Sequence, residues 1–114
     1  MDTPENLPEI RLARIEAIVF RVPISTPVVT SFGTMTNRPA LVVRVEDVDG
    51  AIGWGEVWCN FPNVGAEHRA RMLENYVVPL LLARPWPGPV AAFSELTSRL
   101  HVLGLQCGEP GTIA

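Results

Sequence analysis

Lysine is missing from this 114-residue chain; all nine of its basic residues are arginine. A mechanism that needs a lysine base or a lysine Schiff base therefore cannot be carried by these residues. Cysteine is scarce: Cys59 and Cys107 are the only two, and they form no C-x-x-C pair. Both are expected as reduced thiols in a cytoplasmic protein. The net charge of −3 and the pI near 5.3 leave no basic face, so nucleic acid is not an expected partner. No apolar run approaches the roughly 18–20 residues that span a bilayer, so no membrane partner is expected either. Residues 1–9 lack the positive and apolar regions of a secretory signal. Repeats, low-complexity segments and a G-x-S-x-G nucleophile signature are also missing.

The few polar clusters read as structural. His68 and His101 have no second His or Cys at metal-ligand spacing, and each is expected to be structural or solvated. Gly53-Trp54-Gly55 lacks the third glycine and the βαβ context of a dinucleotide loop. Glu46, Asp47 and Asp49 lack the twelve-position spacing of a calcium loop and read as a solvated turn. No catalytic residue and no metal ligand is assigned.

What is present is a core: 47% of the residues are hydrophobic, enough for one packed domain. The central stretch is residues 40–61. Leu41, Val43 and Val45 alternate with Val42, Arg44 and Glu46, the period of a strand. Asp47-Val48-Asp49-Gly50 supplies a tight hairpin turn. Residues 51–57 then run back, with Gly53 and Gly55 on one face. Their missing side chains predict close approach by another element.

Upstream, residues 14–22 form a first strand with Ile15, Ala17 and Val19 on one face, closed by Pro23. Residues 23–39 are a long, unusually apolar connection containing Val28, Val29, Phe32 and Met35. Either it is a functional loop or it folds back on its own core. A second loop over residues 58–63, with Trp58 and Phe61, is open to the same two readings. Residues 66–83 predict a helix with an apolar stripe of Met72, Leu73, Tyr76, Val77, Leu80 and Leu81; Glu67 suits the dipole of its first turn, and Pro79 should kink or restart it. A second helix is expected over residues 89–103, with Val90, Phe93, Leu96, Leu100 and Leu103 on its stripe. Thr112 could cap a third. The fold class is α+β: a three-stranded antiparallel meander followed by helices. Residues 1–13 are expected as a disordered tail and 14–114 as one domain.

The order Ile15-Glu16-Ala17-Ile18, Arg21-Val22-Pro23-Ile24, residues 40–45, then Asp49-Gly50-Ala51-Ile52-Gly53-Trp54-Gly55-Glu56 and Pro79-Leu80-Leu81 resembles the N-terminal capping domain of the mandelate racemase and muconate lactonizing enzyme family, within the enolase superfamily. The D-G-x-x-G-W-G-E run is its most specific part. The resemblance implies a cap that works on a C-terminal TIM barrel, which is absent from this chain. In such enzymes (racemases, cycloisomerases, sugar-acid dehydratases) the barrel supplies magnesium ligands and acid–base groups, and the substrate is a small carboxylate that loses its α proton. Carried over to this chain, the resemblance makes residues 25–37 and 58–63 the two capping loops. Val28, Thr30, Phe32, Met35, Trp58, Asn60 and Phe61 are then the substrate-facing positions. No cofactor is expected in this chain itself, and magnesium only in the complete enzyme. The chain stops at apolar Ile113-Ala114 inside an apparent helix start, which predicts a third helix cut short, a domain inactive without its barrel, and self-association through the uncovered face. The alternative is a free-standing, non-catalytic binding or assembly module with the same fold.

Overall fold

The computed structural model describes residues 9–61 and 63–107. Strands β1 (Leu12–Thr30), β2 (Gly33–Asp47) and β3 (Ile52–Val57) form one antiparallel sheet in the order β1-β2-β3. Helices α1 (Gly65–Met72) and α2 (Val78–Leu82), joined by a π-helical turn over Leu73–Val77, then α3 (Pro89–Arg99) and α4 (His101–Cys107), follow. This is the α+β meander-then-helices class that the residue pattern predicts.

The β2–β3 hairpin forms where expected. Asp47 organises its turn: one carboxylate oxygen accepts the N–H groups of Asp49 and Ala51, both at 2.9 Å. Gly50 takes φ +90°, a conformation that disfavours side chains.

The first strand does not close at Pro23. It continues to Thr30 and pairs with β2 through Val28↔Met35, Val29↔Thr34 and Thr30↔Gly33, after a register shift between Pro23 and Val28. The expected connection over residues 23–39 is therefore mostly a hairpin arm. Its β-branched residues favour strands, and β1 is an edge strand, where Pro23 and Pro27 are tolerated. Pro39 in the middle strand lies beyond the end of β3, whose pairing stops at Leu41↔Val57.

The helices cover one face of the sheet. Ala66, Ala70, Leu73 and Val77 are buried at helical spacing and form the core with Leu41, Val57, Cys59, Leu96 and Leu100. The expected helical stripe is thus shifted: it begins at Ala66, and Tyr76 stands exposed. The wider π turn just before Pro79 changes the phase and restarts the helix, accommodating the missing proline N–H. The second expected helix is broken at Leu100 (φ −84°, ψ −3°), so that His101 opens α4 rather than ending a helix. Val90 and Phe93, placed on its apolar stripe, are exposed.

Among the described residues, nothing approaches Gly53 or Gly55 closely. A Cβ at either would meet nothing within 4 Å. The helices pack over Leu41 and Val57 instead, and Gly55 borders a cleft of about 280 Å³ with Val43, Leu73 and Leu96. Of the tail expected over residues 1–13, residues 1–8 lie outside the described residues. Ile10 exchanges two backbone hydrogen bonds with Trp86, at 2.7 and 2.8 Å, and the Arg11 carbonyl accepts from Val48 N–H. The helix start expected at Thr112 also lies outside the described residues.

Candidate functional site

The two loop regions converge at one end of the sheet. The hairpin arm turns at Ser31 and Phe32, where the Thr30 hydroxyl accepts the Phe32 N–H and donates to the Gly33 carbonyl, both at 3.1 Å. This holds Phe32 outward, 83% exposed. The second loop leaves β3 at Val57 and returns to α1. Phe61, half-buried, meets Phe32 across the gap with ring centroids 6.2 Å apart and tilted by 45°. Such a tilted pair is favourable beyond its buried area.

The other positions expected to face a substrate divide. Val28, Thr30 and Asn60 are half-buried, and Trp58 is exposed. Met35 is buried. The segments 28–36 and 58–63 contain no charged residue, so the surface they offer is neutral and aromatic.

Charged groups sit behind the loops and hold them. Arg21 on β1 grips both oxygens of Glu67 in α1, Nε to Oε1 at 2.7 Å and Nη2 to Oε2 at 2.6 Å. Its Nη1 donates to Asn37 Oδ1 at 3.1 Å, and Nη2 also donates to the Asn63 carbonyl. This bidentate pair lowers the Glu67 carboxyl from 4.5 to about 2 and raises the Arg21 guanidinium further. Arg69, buried in α1, donates to the Trp58 carbonyl, and its guanidinium carbon lies 5.6 Å from the centroid of the Trp58 ring. Cys59 between them is a buried free thiol whose pKa burial pushes up.

Sequence reasoning did not find Arg21, Asn37 or Arg69, and it read Glu67 only as a favourable dipole partner. A signal for the arginines exists. Arg21 continues the face of Ile15, Ala17 and Val19, which packs on the core, and Arg69 lies on the buried side of α1. An arginine on an apolar face needs a partner.

Among the described residues, no three His, Cys, Asp or Glu side chains stand close enough together to hold a metal ion. The described residues therefore offer no donor set that fits a magnesium ion. No described helix is long and apolar enough to cross a membrane.

Fold and loops together define a small α+β domain that presents two tethered aromatic loops. The sequence model of the mandelate racemase / muconate lactonizing enzyme N-terminal domain matches residues 14–103. A crystal structure of a mandelate racemase/muconate lactonizing enzyme from Bordetella bronchiseptica RB50 is 50% identical, with a TM-score of 0.78 over 94% of this chain and 26% of that one. A racemase from Streptomyces coelicolor A3(2) with bound magnesium is 26% identical, with a TM-score of 0.72 over 82% of this chain and 26% of that one. The o-succinylbenzoate synthase of Geobacillus stearothermophilus is 34% identical over 98 residues, 78% of this chain and 24% of the synthase. The N-succinylamino acid racemase of Amycolatopsis is 35% identical over 80 residues, 64% of this chain and 21% of the racemase. The chain belongs to the mandelate racemase/muconate lactonizing enzyme family and corresponds to its N-terminal domain. It spans about a quarter of the length of these relatives.

Proposed function

We propose that this domain is the cap of an enzyme that abstracts a proton α to a carboxylate, and that it selects substrates without taking part in the proton transfer. The observation that carries the reading is the meeting of Phe32 and Phe61 from two separate loops. Paired rings on tethered loops suit the exclusion of water and contact with the part of a substrate remote from its carboxylate. Because both loop segments are free of charge, that part is a neutral, apolar side chain.

In this reading a C-terminal barrel carries the magnesium ligands and the acid–base residues. Racemisation is the reaction best supported, since two of the relatives are racemases; cycloisomerisation and dehydration are its runners-up within the family. The cytoplasm is the compartment proposed, supported by the free Cys59 thiol. Self-association is supported by Phe20, Val22 and Trp54, each exposed on the sheet face opposite the helices.

The test compares this chain alone with a hybrid in which it replaces the N-terminal domain of the Amycolatopsis N-succinylamino acid racemase. The readout is α-proton exchange of N-succinylamino acids in D₂O with magnesium. The chain alone should give none and bind no stoichiometric Mg²⁺ by calorimetry, and the hybrid should exchange. Exchange by the chain alone, or a folded hybrid without exchange, would overturn the reading. The second result would favour a free-standing binding module.

A further inference from the structure

We propose that Arg21 is the positioning residue that sets the two capping loops relative to one another, and through them the substrates the cap admits. The inference rests on the capping function proposed above. Arg21 lies outside both loops, but its guanidinium touches the root of each. Asn37, which accepts from Nη1, stands at the base of the hairpin arm bearing Phe32, in the Pro23↔Asn37 pair just before the register shift of the β1–β2 ladder. The Asn63 carbonyl, which accepts from Nη2, closes the loop bearing Phe61. Glu67, taking Nε and Nη2, fixes the guanidinium plane against the first turn of α1.

A guanidinium is planar, and its donors point in fixed directions. Three acceptors from three elements are thereby held in one geometry: the arm, the second loop and the helix. Phe32 and Phe61, whose rings meet at 6.2 Å, are carried on the two loops whose roots Arg21 joins. Lysine cannot replace this arrangement, because an ammonium group is a point charge on a flexible stem. Arg21→Lys can keep the attraction to Glu67, but it loses the fork that reaches Asn37 and Asn63 together. Arg69 makes a comparable contact at the start of the second loop, to the carbonyl and ring of Trp58. Both of these contacts lie on the second loop.

The test uses Arg21→Lys, Arg21→Gln and Asn37→Ala in the full chain and in the hybrid with the Amycolatopsis barrel. Circular dichroism and thermal melting identify variants that fold. Asn37→Ala and Arg21→Lys keep the charge on Arg21 or its replacement, so the test stands even if Arg21→Gln does not fold. The first readout is the nuclear Overhauser effect between the Phe32 and Phe61 rings in the chain, which should be lost in both Arg21 variants and weakened in Asn37→Ala. The second is kinetic: KM for N-succinylphenylalanine should rise about tenfold in Arg21→Lys while kcat stays within about twofold, the split expected when binding is lost and chemistry is untouched. A ring–ring effect kept in folded Arg21→Lys overturns the positioning role whatever the kinetics. A ring–ring effect lost with KM unchanged overturns the capping reading instead, because the loops would then move without consequence for substrate.

Discussion

At the body of the domain, Leu41 is completely buried among Val57, Ala66, Leu73, Val77 and Leu96. At the loop end, Phe32 is 83% exposed and the chain is placed by two arginines through hydrogen bonds to Glu67, Asn37, Asn63 and Trp58. Apolar burial is strong but non-directional, so it fixes how the helices lie on the sheet. Charge-assisted hydrogen bonds contribute less to stability, but they fix direction. The comparison separates what makes this domain stable from what places its loops. The two should fail independently.

The largest expected effect is at the body. Leu41→Ala leaves a cavity under the helices and should cost about 2–5 kcal/mol of stability. Denaturant unfolding checks the magnitude. Below the melting temperature, the Phe32–Phe61 ring contact should persist, since no loop tether is touched; its loss in folded Leu41→Ala would erase the distinction between the two ends.

A smaller effect is expected at the tether. The Glu67 carboxyl is depressed to about 2 in the folded chain, from 4.5. The unfolded chain therefore takes up the proton first as pH falls. The stabilisation is fully present above about pH 4.5 and is lost as pH drops towards 2. With its side chain 46% exposed, the pair is screened by water and is worth about 1 kcal/mol. Glu67→Gln should be less stable than the native chain by that amount at pH 7, and the two should converge near pH 2. A gap that stays constant with pH would remove the ion pair from the account.

The body was the more legible half in the sequence. Alternation at Leu41, Val43 and Val45 placed the middle strand, and Asp47-Val48-Asp49-Gly50 placed its turn, because burial and turn chemistry leave local patterns. The arm was legible only in part. Pro23 read as an ending, although an edge strand tolerates it. The phase of the first helix was missed because a π turn breaks the period on which the reading depends. The tethers were not read because their partners lie far apart in sequence: Arg21 and Glu67 are separated by 46 residues. The D-G-x-x-G-W-G-E run led to the family, yet Gly55 borders a cleft, and neither it nor Gly53 has a close neighbour among the described residues. The motif was informative as a likeness and misleading as packing.

The central claim is that the paired loop rings choose the substrate. Its most direct test is the ratio of kcat/KM for N-succinylphenylalanine over N-succinylalanine, measured in the hybrid enzyme with Phe32 and Phe61 intact and with both changed to alanine. The account predicts that the ratio falls by at least about tenfold, because contact with the large apolar side chain is lost while the small one never reached the rings. An unchanged ratio, or an equal fall for both substrates, would contradict it.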